Sequence, residues 1–138
     1  VSGPETDLRA AVEAVLALDA GVTGLLGDPP RLSDTRDPRA AYPNASWGRA
    51  ETLERGADGV SIAEHRLSLE IWCRNGDPAP IVAAIRAALF EADIDLPAPW
   101  TLISLMPAYC DVFTTRDLRV KRGLVRLKAV MGRVLDQA

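Results

Sequence analysis

The residue order of this chain predicts an α+β fold: a mostly antiparallel β-sheet, two long helices packed on one of its faces, and a projecting β-hairpin or loop. Three observations predict it. Apolar residues recur at helical spacing in two segments, near residues 8–16 and 81–89. The segment 63–74 instead alternates: His65, Leu67, Leu69, Ile71 and Cys73 share one side, and Glu64, Arg66, Ser68, Glu70, Trp72 and Arg74 the other. That is the period of a half-buried strand. The elements run helix, strands, helix, strands, and hairpins dominate, which favours antiparallel pairing with both helices on one face.

Length bounds the chain to a single domain over 1–138, large enough to bury a core without disulfide or metal. The first helix has Thr6 or Asp7 as its cap and Leu8, Val12, Val15 and Leu16 as its stripe, and it ends near Asp19-Ala20-Gly21. A short helical turn over 22–27 is stopped by Gly27 and Pro29-Pro30. Residues 28–46 hold four prolines and little apolar content, so they read as an irregular contact arm with a short strand around 31–34. Strand-like runs at about 47–55 and 60–74 flank the turn 56-GADG-59 and form a β-hairpin. Asp77 and Pro78 open the second helix, which runs to about Ala92. Three further strand-like runs follow, at about 100–106, 109–115 and 121–131, with the turn before the last at 117–119. No internal repeat is present.

Composition excludes several classes. No apolar run approaches the roughly 18 residues of a membrane-spanning helix. Val1 in place of methionine points to a trimmed or altered start, and no secretory signal precedes the first helix. Cys73 and Cys110 form no disulfide framework or CxxC motif and read as reduced thiols made in a cytosol. Charge is uneven. Residues 1–110 carry nine Arg and no Lys against sixteen Asp and Glu, a balance of −7, whereas 111–138 balance at +4. The two readings of this asymmetry are a solvated strand face and a surface for an acidic partner.

Chemistry-bearing motifs are missing. His65 is the only histidine and lies on the apolar side of its strand, where a structural role fits better than a general base. His65 and Cys73 lie roughly 26 Å apart on one strand at about 3.3 Å per residue, too far to share a metal. There is no GxSxG, SxxK, P-loop or GxGxxG, so no catalytic residue, cofactor or metal is expected. Trp47, Trp72 and Trp100 are read as packing residues. Trp72, on the polar side of its strand, calls for a cover from a helix or a neighbouring subunit.

Several segments taken in order resemble the tail-terminator (tail-completion) family of long-tailed phages and phage-derived gene transfer agents. They are the opening helix 8-LRAAVEAVLALDAGVTGLLG-27, a Pro-rich connection with Tyr42-Pro43, and the strand 64-EHRLSLEIWCRNG-76 closing on an Asn-Gly turn. The helix 79-APIVAAIRAALFEA-92 and the basic strand 122-RGLVRLKAV-130 complete the order. The resemblance covers nearly the whole chain. It implies a structural protein without catalytic residues. Such a protein forms a hexameric ring that caps the tail tube, ends its polymerisation and offers the surface for joining the head. Its implied partners are copies of itself, the tail tube protein, a head–tail connector protein and DNA passing through the lumen without sequence-specific binding. Its implied place is the tail of the particle at the head–tail junction, after assembly in the bacterial cytoplasm. An adaptor or stopper of the head–tail connector is the alternative within phage assembly. A small nucleic-acid-binding or enzyme-associated module using the basic strand is the alternative outside it. Candidate subunit-interface residues are Arg36, Arg39 and Tyr42 in the irregular arm, Glu51, Glu54 and Trp72 on the strands that follow, and Arg122, Arg126 and Lys128 on the basic strand.

Overall fold

A computed structural model describes residues 3–37, 39–57, 60–90, 92–114 and 119–133. Among them the chain forms three helices and five strands, in the order α1 (Pro4–Leu18), α2 (Ala20–Leu26), β1 (Leu32–Ser33), β2 (Asn44–Glu54), β3 (Ile62–Arg74), α3 (Ala79–Leu89), β4 (Trp100–Thr114) and β5 (Val120–Arg133). The strands make one sheet in the order β1-β2-β3-β5-β4. It is mixed: β1 runs parallel to β2, and the other pairings are antiparallel.

The helix starts differ from expectation. α1 begins at Pro4, ahead of Thr6 and Asp7, with Gly3 as its cap. Proline suits the first helical position because its missing N–H would have no partner there, and Glu5 and Asp7 then sit in the first turn, where the helix dipole favours anions. Gly21 does not end α1 either. Asp19 ends α1 and its carboxylate accepts the Val22 N–H at 3.0 Å, so the chain restarts as α2 with Gly21 inside it. α3 starts one residue later than expected, at Ala79 with Pro78 as its cap, and Asp77 Oδ1 accepts the Ala79 N–H at 2.9 Å.

Leu8, Val12 and Leu16 of α1, Val22 and Leu26 of α2, and Ile81, Val82, Ile85 and Leu89 of α3 are all buried. They form one core with Leu67, Leu69 and Ile71 of β3 and Val125, Leu127 and Ala129 of β5. Each large side chain so buried contributes roughly 1.5–3 kcal/mol. The period-two reading of β3 holds: His65, Leu67, Leu69, Ile71 and Cys73 are buried on the helix side. α1 lies over β2, where Trp47 Nε1–H donates to Glu13 Oε1 at 2.7 Å. α3 lies over β4 and β5.

One strand reading changes. The runs expected at 100–106 and 109–115 are a single strand, β4, with irregular register around Leu102–Ser104 and Pro107–Tyr109. Pro107 does not break it, because β4 is an edge strand and a missing donor is tolerated there. β2 and β3 pair antiparallel, Asn44 opposite Trp72 through Glu54 opposite Ala63. The expected hairpin tip at 58–59, the turn residues 117–118 and Thr115 lie outside the described residues.

A charged open sheet face

The alternation that buries one side of β3 sends the other side away from the helices. The register sets Glu64, Arg66, Ser68, Glu70 and Trp72 of β3 beside Val130, Lys128, Arg126, Leu124 and Arg122 of β5. Glu51 of β2 stands opposite Arg66, and Tyr109 of β4 opposite Arg126. Among the interface candidates, Glu51, Trp72, Arg122, Arg126 and Lys128 therefore share one face. Glu54 does not: it pairs with Ala63 on the helix side and lines a hollow of about 180 Å³ with Thr52, His65 and Trp100. Tyr42 lies at the other end of the sheet, beside Leu25, Cys73 and Ile81. Arg39 is exposed, and its backbone N–H donates to Asp37 Oδ1 at 2.9 Å.

Glu64 anchors this face. It is only 5% exposed, and three cations surround it: Arg66 Nε at 2.6 Å, Lys128 Nζ at 3.5 Å and Arg55 Nε at 3.7 Å. The Arg66 hydrogen bond holds its carboxyl below the usual range against the opposing effect of burial, and the charges of Arg66, Lys128 and Arg55 add to it. Glu70 pairs with Arg122. The acidic and basic halves of the sequence thus meet across β3 and β5 within one chain. Two cations of the +4 segment, Arg122 and Lys128, are paired internally in this way.

Trp72 is 8% exposed. Two guanidinium groups of its own chain lie over its ring. Arg36 reaches in from the irregular arm to 3.9 Å from the ring centroid, and Arg122 lies at 5.6 Å. A guanidinium over an indole is attracted by the ring's negative face and shields it from water. The indole N–H also donates to Ser46 Oγ at 3.4 Å. Arg126 is placed differently. It lies over Tyr109 at 5.3 Å and, with Arg49, Glu51, Arg66 and Ser68, rims a hollow of about 140 Å³.

The helix side holds the groups with nucleophilic or basic character, in unpromising settings. His65 is 3% exposed, with Nδ1 at 3.0 Å from Thr52 Oγ1. Burial lowers its pKa, against smaller raising effects of Glu5 and Glu54. Burial raises both thiols, with Asp77 adding at Cys73, and a raised thiol is a poor nucleophile. No group of three or more His, Cys, Asp or Glu side chains among the described residues converges on a metal position.

A pH dependence follows. His65 stays neutral in the fold but gains a proton in the unfolded chain below its ordinary value near 6.5. Stability is therefore complete above that pH and falls as the pH drops toward the lowered native value, with a slope of at most about 1.4 kcal/mol per pH unit. Glu64 also has a lowered native value, so its contribution is lost further down, below its ordinary 4.5. His65→Gln should flatten the profile of urea midpoints between pH 7 and 5 and leave the more acidic limb in place. An unchanged upper limb would show that His65 is not its source.

Sequence reading missed the apolar side chains that β4 leaves exposed, namely Ile103, Met106, Tyr109 and Val112. They recur at every third residue, across two register shifts, and the strand period of two does not single them out. It also missed Glu64 as a hub, since Arg55, just past β2, and Lys128, on β5, meet it only through the sheet register.

Known relatives fit this architecture. Among curated proteins none matches the sequence. The fold is similar to that of a chain in the solved structure "Virion of native gene transfer agent (GTA) particle", with a TM-score of 0.82 and 20% identity over 96% of this chain and 99% of that one. The sequence profile described as "Tail completion protein gp17" matches residues 10–132, from within α1 almost to the end of β5. By that match the chain belongs to the tail completion protein gp17 family and is a structural protein of a phage-like tail.

Proposed function

We propose that this protein is a ring subunit that caps the tail tube, ends its polymerisation and presents the surface on which the head is joined, without catalysing a reaction. Beside family membership, one observation supports this most. The sheet is covered by helices on one face only, and the other carries a ladder of charges and apolar edge residues over its full width. A charged antiparallel face is often simply solvated, but large apolar side chains standing on it, here Ile103, Met106 and Tyr109, mark a surface that a partner covers. The partners in this reading are further copies, six in a closed ring, with the tube protein below, a connector protein above and DNA passing through the lumen. The alternative of a nucleic-acid-binding module loses force because Arg122 and Lys128 are neutralised by Glu70 and Glu64. Phosphate binding needs cations free to displace counterions.

Arg36, Arg39 and Tyr42 on the irregular arm, and Glu51, Glu54, Trp72, Arg122, Arg126 and Lys128 on the strands, are the proposed contact residues. Arg126 is the one to test, because its charge meets no carboxylate in its own chain among the described ion pairs. Arg126→Glu should weaken ring assembly while leaving the fold intact, and Glu51→Arg in the same ring should partly restore it. The effect per contact is roughly 0–1 kcal/mol, as for exposed pairs, but every contact of the ring repeats it. Assembly on tube ends, followed by light scattering and electron microscopy, reads the outcome. Normal rings combined with poor DNA delivery would move Arg126 from the subunit contact to the lumen.

A further inference from the structure

The two lateral flanks of the domain differ in the side chains they offer. On one flank, β4 is the outermost strand and α3 lies beside it. Between them runs an open groove of about 530 Å³ lined by Ala79, Val82, Ala83, Arg86, Phe90 and Val112. Phe90 is 56% exposed and Val112 is 39% exposed, so two large apolar groups stand out from this flank. Arg86 lines the same groove and has no acidic partner among the described ion pairs.

The opposite flank lies four strand spacings away, about 19 Å across the sheet. There α1 and the Pro29-Pro30 segment enclose a trough of about 360 Å³ beside Leu32 of the other outermost strand. Its α1 wall consists of Ala10, Ala14 and Ala17, which leave room for a larger side chain, and of Glu13. One oxygen of Glu13 accepts from Trp47, and an ionised carboxylate has further acceptor capacity. One flank thus offers large exposed apolar side chains and an arginine, the other small side chains and a carboxylate.

The β4 edge itself is guarded against backbone pairing. Pro107 has no N–H to offer, and Asp111 folds back so that its Oδ1 accepts the Val112 N–H at 2.8 Å while Oδ2 accepts the Tyr109 hydroxyl at 2.9 Å. Prolines and inward-turned charges are devices that stop sheets adding strands. The edge is closed to strand addition and open to side-chain docking.

We propose that two copies of this chain join through these unlike flanks, with Phe90 and Val112 of one copy seated in the Ala10–Ala14–Ala17 and Pro29-Pro30 trough of the next and Arg86 facing Glu13. The proposal rests on the ring reading and deepens it by naming the lateral contact. Because the flanks differ and sit at opposite ends of the sheet, the contact repeats head to tail, the kind of contact that makes a ring when the rotation per subunit closes. The charged face then remains at right angles to the contact, and its residues supplement it at the rim.

The test uses two variants at exposed positions. Phe90→Asp spoils only the protruding flank, and Ala14→Arg only the trough. Circular dichroism and melting should match the unaltered protein for both, and Val112→Arg serves as a second probe of the protruding flank. With the full-length protein on tube ends, each variant alone should fail to form rings. Mixed one to one, they should give a dimer and stop there, because each pair has a single sound junction. Rings of normal size from either variant, or a mixture that stays monomeric, would overturn the unlike-flank contact while leaving the ring reading in place. An unaltered protein that stays a single copy at all concentrations and on tube ends would overturn the ring reading and this contact with it.

Discussion

Replacing Trp47 by alanine is expected to cost about 3–5 kcal/mol of folding free energy, the range for truncating a buried aromatic. Trp47 is 4% exposed, on β2, and ties the sheet to α1 in two ways. Its indole N–H donates to Glu13 at 2.7 Å, and Arg9, one helical turn earlier, lies 5.5 Å from its ring. The substitution opens a cavity beneath α1 and leaves Glu13 without its donor. A domain of this kind has about 5–15 kcal/mol in total, so the loss takes a large part of it. Glu13→Ala should cost less, about 1–3 kcal/mol, because it leaves the indole N–H unsatisfied without a void. Urea denaturation followed by circular dichroism reads both. A loss below about 1 kcal/mol for Trp47→Ala would mean that α1 is held by its apolar stripe alone.

Gly123→Val should destabilise the protein by about 1–3 kcal/mol, as overpacking does, although valine favours strands by up to about 1 kcal/mol elsewhere. Gly123 lies on β5 beneath the start of α3. A Cβ there would stand 2.7 Å from Val82 Cγ2 and 3.2 Å from Pro78 Cβ, closer than atoms pack. The nearest obstacle is a side-chain methyl group, so Val82→Ala in the same chain should recover part of the loss. The two changes should therefore be non-additive, as expected of residues in contact. A stabilising Gly123→Val would mean that α3 stands further from the sheet than described.

Both residues show what a sequence can and cannot disclose. The stripes Leu8–Val12–Leu16 and Ile81–Ile85–Leu89 and the alternation along β3 were legible because a helix or strand repeats its own period. Asp77 before Pro78 marked the start of α3 for a local reason too, since a carboxylate there meets the first free N–H. The break expected between 106 and 109 is absent although Pro107 stands there: proline breaks a strand only where its N–H is needed, and being at an edge is a property of the whole sheet. The single strand β4 was therefore hidden. Trp72 was recognised as needing a cover, but a guanidinium from Arg36, far off in sequence, could not be foreseen over its ring. The candidate surface was legible in part. The basic residues of β5 and their common side were readable, whereas their pairing with Glu64 and Glu70 depends on which strand lies next to β5.

The strand order has a consequence for how the chain acquires its shape. β5 is the last strand in sequence and yet sits inside the sheet, between β3 and β4. Until it is in place, β4 has no neighbour, and β3 exposes the edge that will later pair from Ile62 to Arg74. Closing the sheet brings together residues far apart in sequence, which slows folding relative to local pairing. During synthesis the earlier elements must therefore wait with open, apolar edges until the last strand emerges, the condition in which chains associate wrongly. The same order acts as a check on completeness. A chain arrested before β5 cannot finish its sheet, so it cannot offer a finished flank to an assembling particle.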